Sequence, residues 1–207
     1  MELNANQVKE LREKTGAGIM DCKRALSETG GDLEKAVVWL REKGIAAAAG
    51  RAGRVASEGS VGSYIHAGGK IGVLIEVNCE TDFCAKSEAF QALVKNLAMQ
   101  VVASNPRCVR REELSAAVVE QERQIYASQA EGKPAAVVTK IVDGKIEKFY
   151  KEACLLEQAY VRDPNKTVND LIGEAAIQMR EKIDVRRFTR YQLGEALEDT
   201  ATTTAAA

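Results

Sequence analysis

The residues with the richest chemistry in this sequence stand close together, between Cys79 and Cys84. The stretch carries two thiols, two carboxylates, a hydroxyl and an aromatic ring, in the order Cys79, Glu80, Thr81, Asp82, Phe83 and Cys84. Such groups could support nucleophilic catalysis by a thiolate, or they could contact a partner protein through the ring and the neighbouring acid.

The thiol hypothesis lacks the groups that would activate a nucleophile. A catalytic thiol needs a base and a residue that orients the base. The only histidine is His66, predicted at a hairpin tip, and nothing in the sequence brings it close to Cys79 or Cys84. A thiol-dependent protein therefore remains only an alternative. It is tested by alkylating the thiols and assaying what activity remains.

The five cysteines indicate neither a disulfide framework nor a metal site. Their number is odd, no Cys-x-x-Cys pair occurs, and a structural zinc site usually needs four Cys or His ligands at tight spacing. The sequence therefore predicts no metal and no cofactor. Reduced thiols in a cytoplasmic protein are the simplest interpretation.

A purely structural role for the stretch must be weighed as well. Thr81 or Asp82 could cap a short helical turn, and Phe83 could fold back onto the following helix as a staple. However, that helix already presents five large apolar residues on one face: Phe90, Leu93, Val94, Leu97 and Val101. A further ring is not needed for burial. We therefore expect Phe83, beside a hydrogen-bonding Asp82, to be an anchor for a pocket on a partner.

The elements on either side define where these groups lie. Residues Ile71 to Val77 alternate between apolar and other side chains, which predicts a strand, and Ser87 to Val102 follow the 3.6-residue period of a helix. The stretch therefore occupies a strand-to-helix junction, where scaffolds commonly present functional groups.

The N-terminal residues predict a small helical module. Helices are expected over about Asn4 to Lys14 and Ile19 to Glu28, with a third helix capped by Asp32 and ended by Gly44. From Ile45 to Ser60 small residues suit a linker or a loosely held helix end. We place the domain boundary near Arg54, with residues 1–54 as the module and linker start, 55–196 as the core and 197–207 as a disordered tail.

The core pattern predicts an α+β fold. A hairpin about residues 66–69 should join the strand over 71–77 to one over 61–65, and residues 183–191 should return as a third strand. Helical patterns cover 112–131 and the residues after Pro134, with a predicted break at Asp143-Gly144. Thr167 and Asp170 form a capping-box pattern before another helix.

Composition narrows the classes of function. A formal net charge of −1 gives no global reason to bind nucleic acid, although Arg186, Arg187 and Arg190 leave a local patch open as a second alternative. Binding that falls steeply with salt would favour that alternative. No apolar run is long enough to span a membrane, and no secretory signal is predicted.

Four separate stretches resemble the elongation factor Ts family, the guanine-nucleotide exchange factors of the translation GTPase elongation factor Tu. They are Val8–Lys23, Glu76–Phe83, Lys148–Glu152 and Cys154–Gln158, in family order over nearly the whole chain. The resemblance implies an N-terminal three-helix module of the ubiquitin-associated type. It implies a core of helices packed on a small three-stranded antiparallel sheet, in the short form without a duplicated core or a coiled-coil insertion.

The resemblance also implies the site residues and the partner. In the family, the Thr-Asp-Phe stretch and the next residue are associated with dislodging Mg²⁺ from the GTPase, which maps onto Thr81, Asp82, Phe83 and Cys84. Cys84 stands where valine is usual. By motif position Arg12, Met20 and Lys23 are further contacts.

The implied protein is not an enzyme, because it has no catalytic residues of its own. Its partner is elongation factor Tu, in the GDP-bound and nucleotide-free forms. No direct contact with nucleic acid or membrane is expected. Whether the chain also forms a homodimer through an exposed edge of its small sheet is left open.

Overall fold

The structure, a computed structural model, describes residues 5–15, 17–51, 53–132 and 134–196. Its helices are α1 Ala5–Thr15, α2 Ile19–Glu28, α3 Leu33–Arg51, α4 Asp82–Ala85, α5 Glu88–Ser104, α6 Ala116–Ser128, α7 Ala135–Ala153 and α8 Val168–Met179. Its strands are β1 Glu58–Ile65, β2 Ile71–Cys79, β3 Ala159–Tyr160, β4 Asp163–Thr167 and β5 Asp184–Gln192. The α+β fold class is confirmed.

The three N-terminal helices pack around a small apolar cluster of their own. Its buried members are Val8, Leu11, Cys22, Ala25, Leu26 and Ala36. The turn between α2 and α3 is held by the side chain of Gln7, which donates from Nε2 to the carbonyl of Gly31 at 3.2 Å. The arrangement is consistent with the ubiquitin-associated-like module that the resemblance implies.

Helix α3 is longer than the sequence pattern predicts. The sequence predicts that Gly44 ends it, but the helix continues to Arg51, because the high helix propensity of the four alanines after Ile45 offsets part of the cost of Gly44 and Gly50. Gly44 instead allows close packing, since a Cβ placed there would lie 2.5 Å from Cδ1 of Ile177 on α8. This contact joins the N-terminal helices to the core.

The main sheet is antiparallel, with strand order β1-β2-β5 and β2 in the centre. Val73, Ile75 and Val77 of β2 turn inward, as their alternation predicts, and are buried against α5. Helix α5 contributes the five apolar residues expected on one face, all of them buried, and α8 packs on α5. The predicted three-stranded sheet and its covering helices are confirmed.

Helix α7 is continuous where the sequence pattern predicts a break. The expected break at Asp143-Gly144 does not occur, and the helix runs unbroken from Ala135 to Ala153. Val142, Ile146 and Phe149 are buried along one face, and their burial outweighs a glycine penalty of about 1 kcal/mol. The small second sheet, β3-β4, was not predicted.

The remaining predictions have mixed outcomes. The capping box at the start of α8 is present, with Thr167 and Asp170 each accepting a backbone N–H from the other.

Residues 197–207, predicted to be a disordered tail, lie outside the described residues, and the domain boundary near Arg54 stays a prediction. Among the described helices, none is both long and apolar enough to cross a membrane.

Candidate partner-binding site

The stretch with the richest chemistry forms a tight corner between β2 and α5. Helix α4 is only four residues long, and Thr81 is its N-cap. The Thr81 hydroxyl accepts the backbone N–H of Cys84 at 3.2 Å. The capping role weighed for Thr81 is therefore confirmed, and it fixes the backbone from which Phe83 projects.

Phe83 points away from the molecule. Its relative exposure is 84%, whereas the next two residues, Cys84 and Ala85, are 5% and 7% exposed and belong to the core cluster. The helical turn thus buries one side and presents the ring on the other. The alternative in which Phe83 folds back as a staple does not hold, because the core side of the corner is filled by Cys84 and Ala85.

Asp82 is also exposed and keeps its negative charge at neutral pH. Its carboxylate Oδ2 accepts a hydrogen bond from Nζ of Lys86 at 2.7 Å. That bond lowers the pKa of Asp82 and raises the pKa of Lys86. The corner therefore presents an aromatic ring beside an ionised carboxylate.

A residue that the sequence analysis missed holds this corner from behind. Glu181, just after α8, accepts the backbone N–H groups of Glu80 at 3.0 Å and Thr81 at 3.1 Å through Oε2. Its Oε1 accepts the Thr81 hydroxyl at 2.5 Å. No local pattern marks Glu181, because its role depends on the meeting of segments about a hundred residues apart.

The two neighbours of Glu181 extend the same network. Arg180 donates from Nη2 to Oδ2 of Asp21, on α2, at 2.7 Å. Lys182 donates its backbone N–H to Oε1 of Glu80 at 2.6 Å and its Nζ to the carbonyl of Arg54 at 2.9 Å. Residues 180–182 therefore connect the Phe83 corner, the N-terminal helices and the segment between them.

The thiols of the corner form a compact group but not a reactive one. The Sγ atoms of Cys79 and Cys84 and a carboxylate oxygen of Glu181 lie within 4.8 Å of one another, close enough to hold a metal ion. Burial raises the pKa of Cys79, and it raises the pKa of Cys84 to about 12. Nucleophilic attack requires the thiolate, which burial disfavours at both positions. The two thiols are therefore not activated as nucleophiles, and they belong to the buried core behind the corner. That the chain binds no metal stays a prediction.

The only histidine does not activate these thiols. His66 lies exposed at the hairpin tip, and its Nδ1 lies 3.4 Å from the hydroxyl of Tyr64. All five cysteines are buried and free of disulfides. The base that a thiol mechanism requires is not supplied by this residue.

Known proteins match this chain over almost its full length. The model of the family described as Elongation factor TS matches residues 6–195. The chain belongs to the elongation factor Ts family. Proteins named Elongation factor Ts are similar to it: that of Desulforamulus reducens is 60% identical over 95% of this chain and 92% of its own. The protein of Geobacter metallireducens is 59% identical over 95% of this chain and 92% of its own. That of Thermoanaerobacter sp. strain X514 is 59% identical over 95% of this chain and 97% of its own.

The second set of candidate contacts in this elongation factor Ts chain lies on α1 and α2. Arg12 and Lys23 are exposed, and Met20 is 68% exposed despite being apolar. Asp21, which binds Arg180, lies between Met20 and Lys23. The structure therefore leaves the three side chains accessible and ties their helices to the corner through one ion pair.

The three late arginines do not form one basic patch on this elongation factor Ts fold. Arg187 donates from Nε to Oε2 of Glu76 at 2.7 Å, and Arg186 lies 3.8 Å from the same carboxylate. Arg190 turns inward beside Val73, and its side chain is only 9% exposed. Arg186 and Arg187 thus share one carboxylate and remain exposed, whereas the side chain of Arg190 is largely buried, so the three side chains do not form a single cluster. That the chain makes no direct contact with nucleic acid stays a prediction.

Proposed function

We propose that the chain binds elongation factor Tu in its GDP-bound form and promotes GDP release, so that GTP can replace it. Family membership supplies the partner. The observation that carries the mechanism is the 84% exposure of Phe83 on a corner whose backbone is capped by Thr81 and held by Glu181. A large apolar ring kept in water by a rigid support is well suited to fill a pocket on another protein.

The physical basis of exchange is competition for the nucleotide site. A GTPase holds its nucleotide through Mg²⁺ and a phosphate-binding loop, so a partner that displaces these elements weakens nucleotide binding. In this proposal Phe83 inserts between elements of the GTPase, and Asp82 fixes the approach by hydrogen bonding. Thr81, as the N-cap of α4, and Cys84, through its burial, fix the backbone from which the Phe83 ring projects.

Linkage makes the effect reciprocal. Whatever free energy the factor removes from nucleotide affinity, the nucleotide removes from factor affinity. The factor therefore needs no acid, base or metal of its own, and it leaves when a nucleotide rebinds. The protonated, buried thiols support this interpretation over thiol chemistry, and they also suit the reducing cytoplasm in which translation takes place.

A second contact through Arg12, Met20 and Lys23 would orient the chain on its partner. The ion pair between Arg180 and Asp21 connects this surface to the corner, but both side chains are largely exposed, at 62% and 40%. Such a pair contributes only about 0–1 kcal/mol. The packing of α3 on α8 contributes more to the relative position of the two surfaces.

The proposal is tested with elongation factor Tu loaded with fluorescent GDP. Adding the chain should accelerate GDP release, and a pull-down should capture elongation factor Tu until excess nucleotide is added. Retention of the complex in saturating nucleotide would contradict the negative coupling. Unchanged GDP release would contradict the function itself.

We also propose that a second copy of this chain covers the outer face of the main sheet. Apolar side chains project from that face on all three strands: Val61 (67% exposed), Ile65 (70%), Leu74 (49%) and Tyr191 (69%). The strand register places Leu74 opposite Ser63 and Tyr191 opposite Gly72, so the four side chains share one face. An apolar face of this kind typically marks an interaction surface.

Light scattering across a concentration series tests the dimer. The wild-type chain should show twice its 22.4 kDa mass, and Leu74→Glu should shift it to the monomer by placing a charge in the interface. Glu58→Lys, at the start of the edge strand β1, provides a control with an altered charge away from the apolar face. A monomeric wild-type chain at tens of micromolar would refute this part of the proposal.

A further inference from the structure

Glu181 contacts the candidate site without being part of its exposed surface. We propose that Glu181 is a positioning residue for nucleotide exchange, because its carboxylate holds the corner from which Phe83 projects. This inference rests on the proposed function. It adds a residue about a hundred positions away in the sequence, outside the four motif stretches at 8–23, 76–83, 148–152 and 154–158.

The hydrogen bonds of Glu181 converge on the start of α4. The N–H groups of Glu80 and Thr81 precede the helix, and Glu181 Oε2 accepts both at 3.0 and 3.1 Å. The Thr81 hydroxyl donates to Glu181 Oε1 at 2.5 Å while it accepts the N–H of Cys84 at 3.2 Å. Glu181 is thus linked through one hydroxyl to the amide that directly follows Phe83.

The corner depends on this support, because it has little intrinsic stability. A helix of four residues lies far below the length at which isolated helices persist in water. Phe83 is 84% exposed and has few contacts with its own chain to restrain it. Its orientation is therefore fixed by the backbone of α4, which in turn is fixed by burial of Cys84 and Ala85 and by the bonds to Glu181.

The position of Glu181 is itself well defined. Arg180, the C-cap of α8, adopts the left-handed conformation with φ of 60° and turns the chain toward the corner. Glu80 and residues 181–182 then bind each other reciprocally. Glu181 accepts the N–H of Glu80, and the Glu80 carboxylate accepts the N–H of Lys182 at 2.6 Å. Two segments that hold each other in both directions form a rigid base for the ring.

Three substitutions of Glu181 distinguish the effect of its hydrogen bonds from the effect of its negative charge. Glu181→Ala removes the hydrogen bonds and the charge. Glu181→Asp keeps the charge but shortens the side chain by one methylene, so it no longer reaches both N–H groups. Glu181→Gln keeps the reach, since its oxygen can accept the two N–H groups and its amide can donate to the Thr81 hydroxyl, but it loses the charge.

Positioning predicts a particular order of rates. The maximum rate of GDP release should fall roughly tenfold for Glu181→Ala and Glu181→Asp, because misplacing a reacting geometry by about 1 Å has effects of at least this size. Glu181→Gln should stay within about twofold of wild type. The concentration of factor that gives half the maximum rate should change less, since Arg12, Met20 and Lys23 are unaltered. Near-wild-type rates for Glu181→Asp with slow release for Glu181→Gln would instead assign Glu181 a direct electrostatic role and overturn the inference.

Hydrogen exchange of the free chain gives a second readout that does not depend on the partner. In Glu181→Ala the amides of residues 80–86 should exchange faster, while those of β2 and α5 stay protected. The matched control is Glu174→Ala, which removes a carboxylate of α8 that binds Lys166 at 2.6 Å and lies away from the corner. It should leave both readouts unchanged.

The outcomes distinguish this inference from the proposed function. Acceleration by wild type together with unchanged rates in all three Glu181 variants would refute positioning and leave exchange intact. No acceleration by wild type would refute the proposed function and, with it, this role of Glu181. Equal loss of rate in Glu174→Ala would show a general effect of α8 and would also overturn the inference.

Discussion

Replacing Phe83 by alanine should weaken binding to elongation factor Tu and leave the stability of the free chain almost unchanged. Because the ring is 84% exposed, its loss should change the free energy of unfolding by less than about 0.5 kcal/mol, as is usual at surface positions. In the complex a Phe side chain would bury roughly 150–250 Å², of which about four fifths is new burial. At about 25 cal/mol per Å² this gives roughly 3–5 kcal/mol as an upper bound.

The expected cost of Phe83→Ala is therefore about 2 kcal/mol or more, since alanine keeps its methyl group and burial in a pocket is never complete. This corresponds to about a thirtyfold rise in Kd. Stopped-flow measurement of fluorescent GDP release from elongation factor Tu, at increasing concentrations of factor, reports the loss. Urea unfolding of the free variant reports stability.

A matched control is Leu193→Ala, which truncates another apolar side chain that is 76% exposed, just beyond β5. It should leave GDP release unchanged. Wild-type acceleration by Phe83→Ala would refute the anchor role. A large loss of stability in Phe83→Ala would show that the ring belongs to the fold, and the reasoning from exposure would fail.

Three further outcomes follow from the described contacts. Brief treatment with iodoacetamide at pH 7.5 should leave GDP release intact, because the thiols are buried and protonated; burial raises the pKa of Cys84 to about 12. Rapid labelling with loss of activity would restore the thiol hypothesis. Thr167→Ala should cost about 1 kcal/mol of stability in urea unfolding. The hydrogen bonds from Thr167 lower the pKa of the Asp170 carboxyl in the folded chain. In wild type their stabilisation is therefore complete above the unfolded pKa of about 3.9 and is lost as pH falls through the lower folded pKa. An unchanged midpoint of acid unfolding in Asp170→Asn would contradict this. Gly59→Ala should destabilise the edge strand by about 1–3 kcal/mol in the same assay, since Gly59 has φ of 146° and a Cβ would collide with the carbonyl of Val77; wild-type stability would show that β1 relaxes.

The sequence predicted well those features that depend on neighbours along the chain. The alternation of 71–77, the apolar stripe of α5 and the Thr167 capping box each arise from side chains within one or two turns of each other, so periodicity and residue type are sufficient. It failed at Gly44 and Gly144, where a local helix-ending signal competed with tertiary packing. Burial along α7, and a close approach to Ile177 by α3, outweighed the intrinsic cost of glycine.

The candidate site shows the same division. Residue types marked Phe83 beside Asp82, with Thr81 as a possible cap, because a ring, an acid and a hydroxyl meet at a predicted strand-to-helix junction. Cys84 entered the set only through the resemblance to the elongation factor Ts family. The sequence favoured an exposed ring over a buried staple without establishing either, and it gave no indication of Glu181. Both were decided by the tertiary structure, because exposure and long-range hydrogen bonds depend on which distant segments meet, and local patterns carry no information about that meeting.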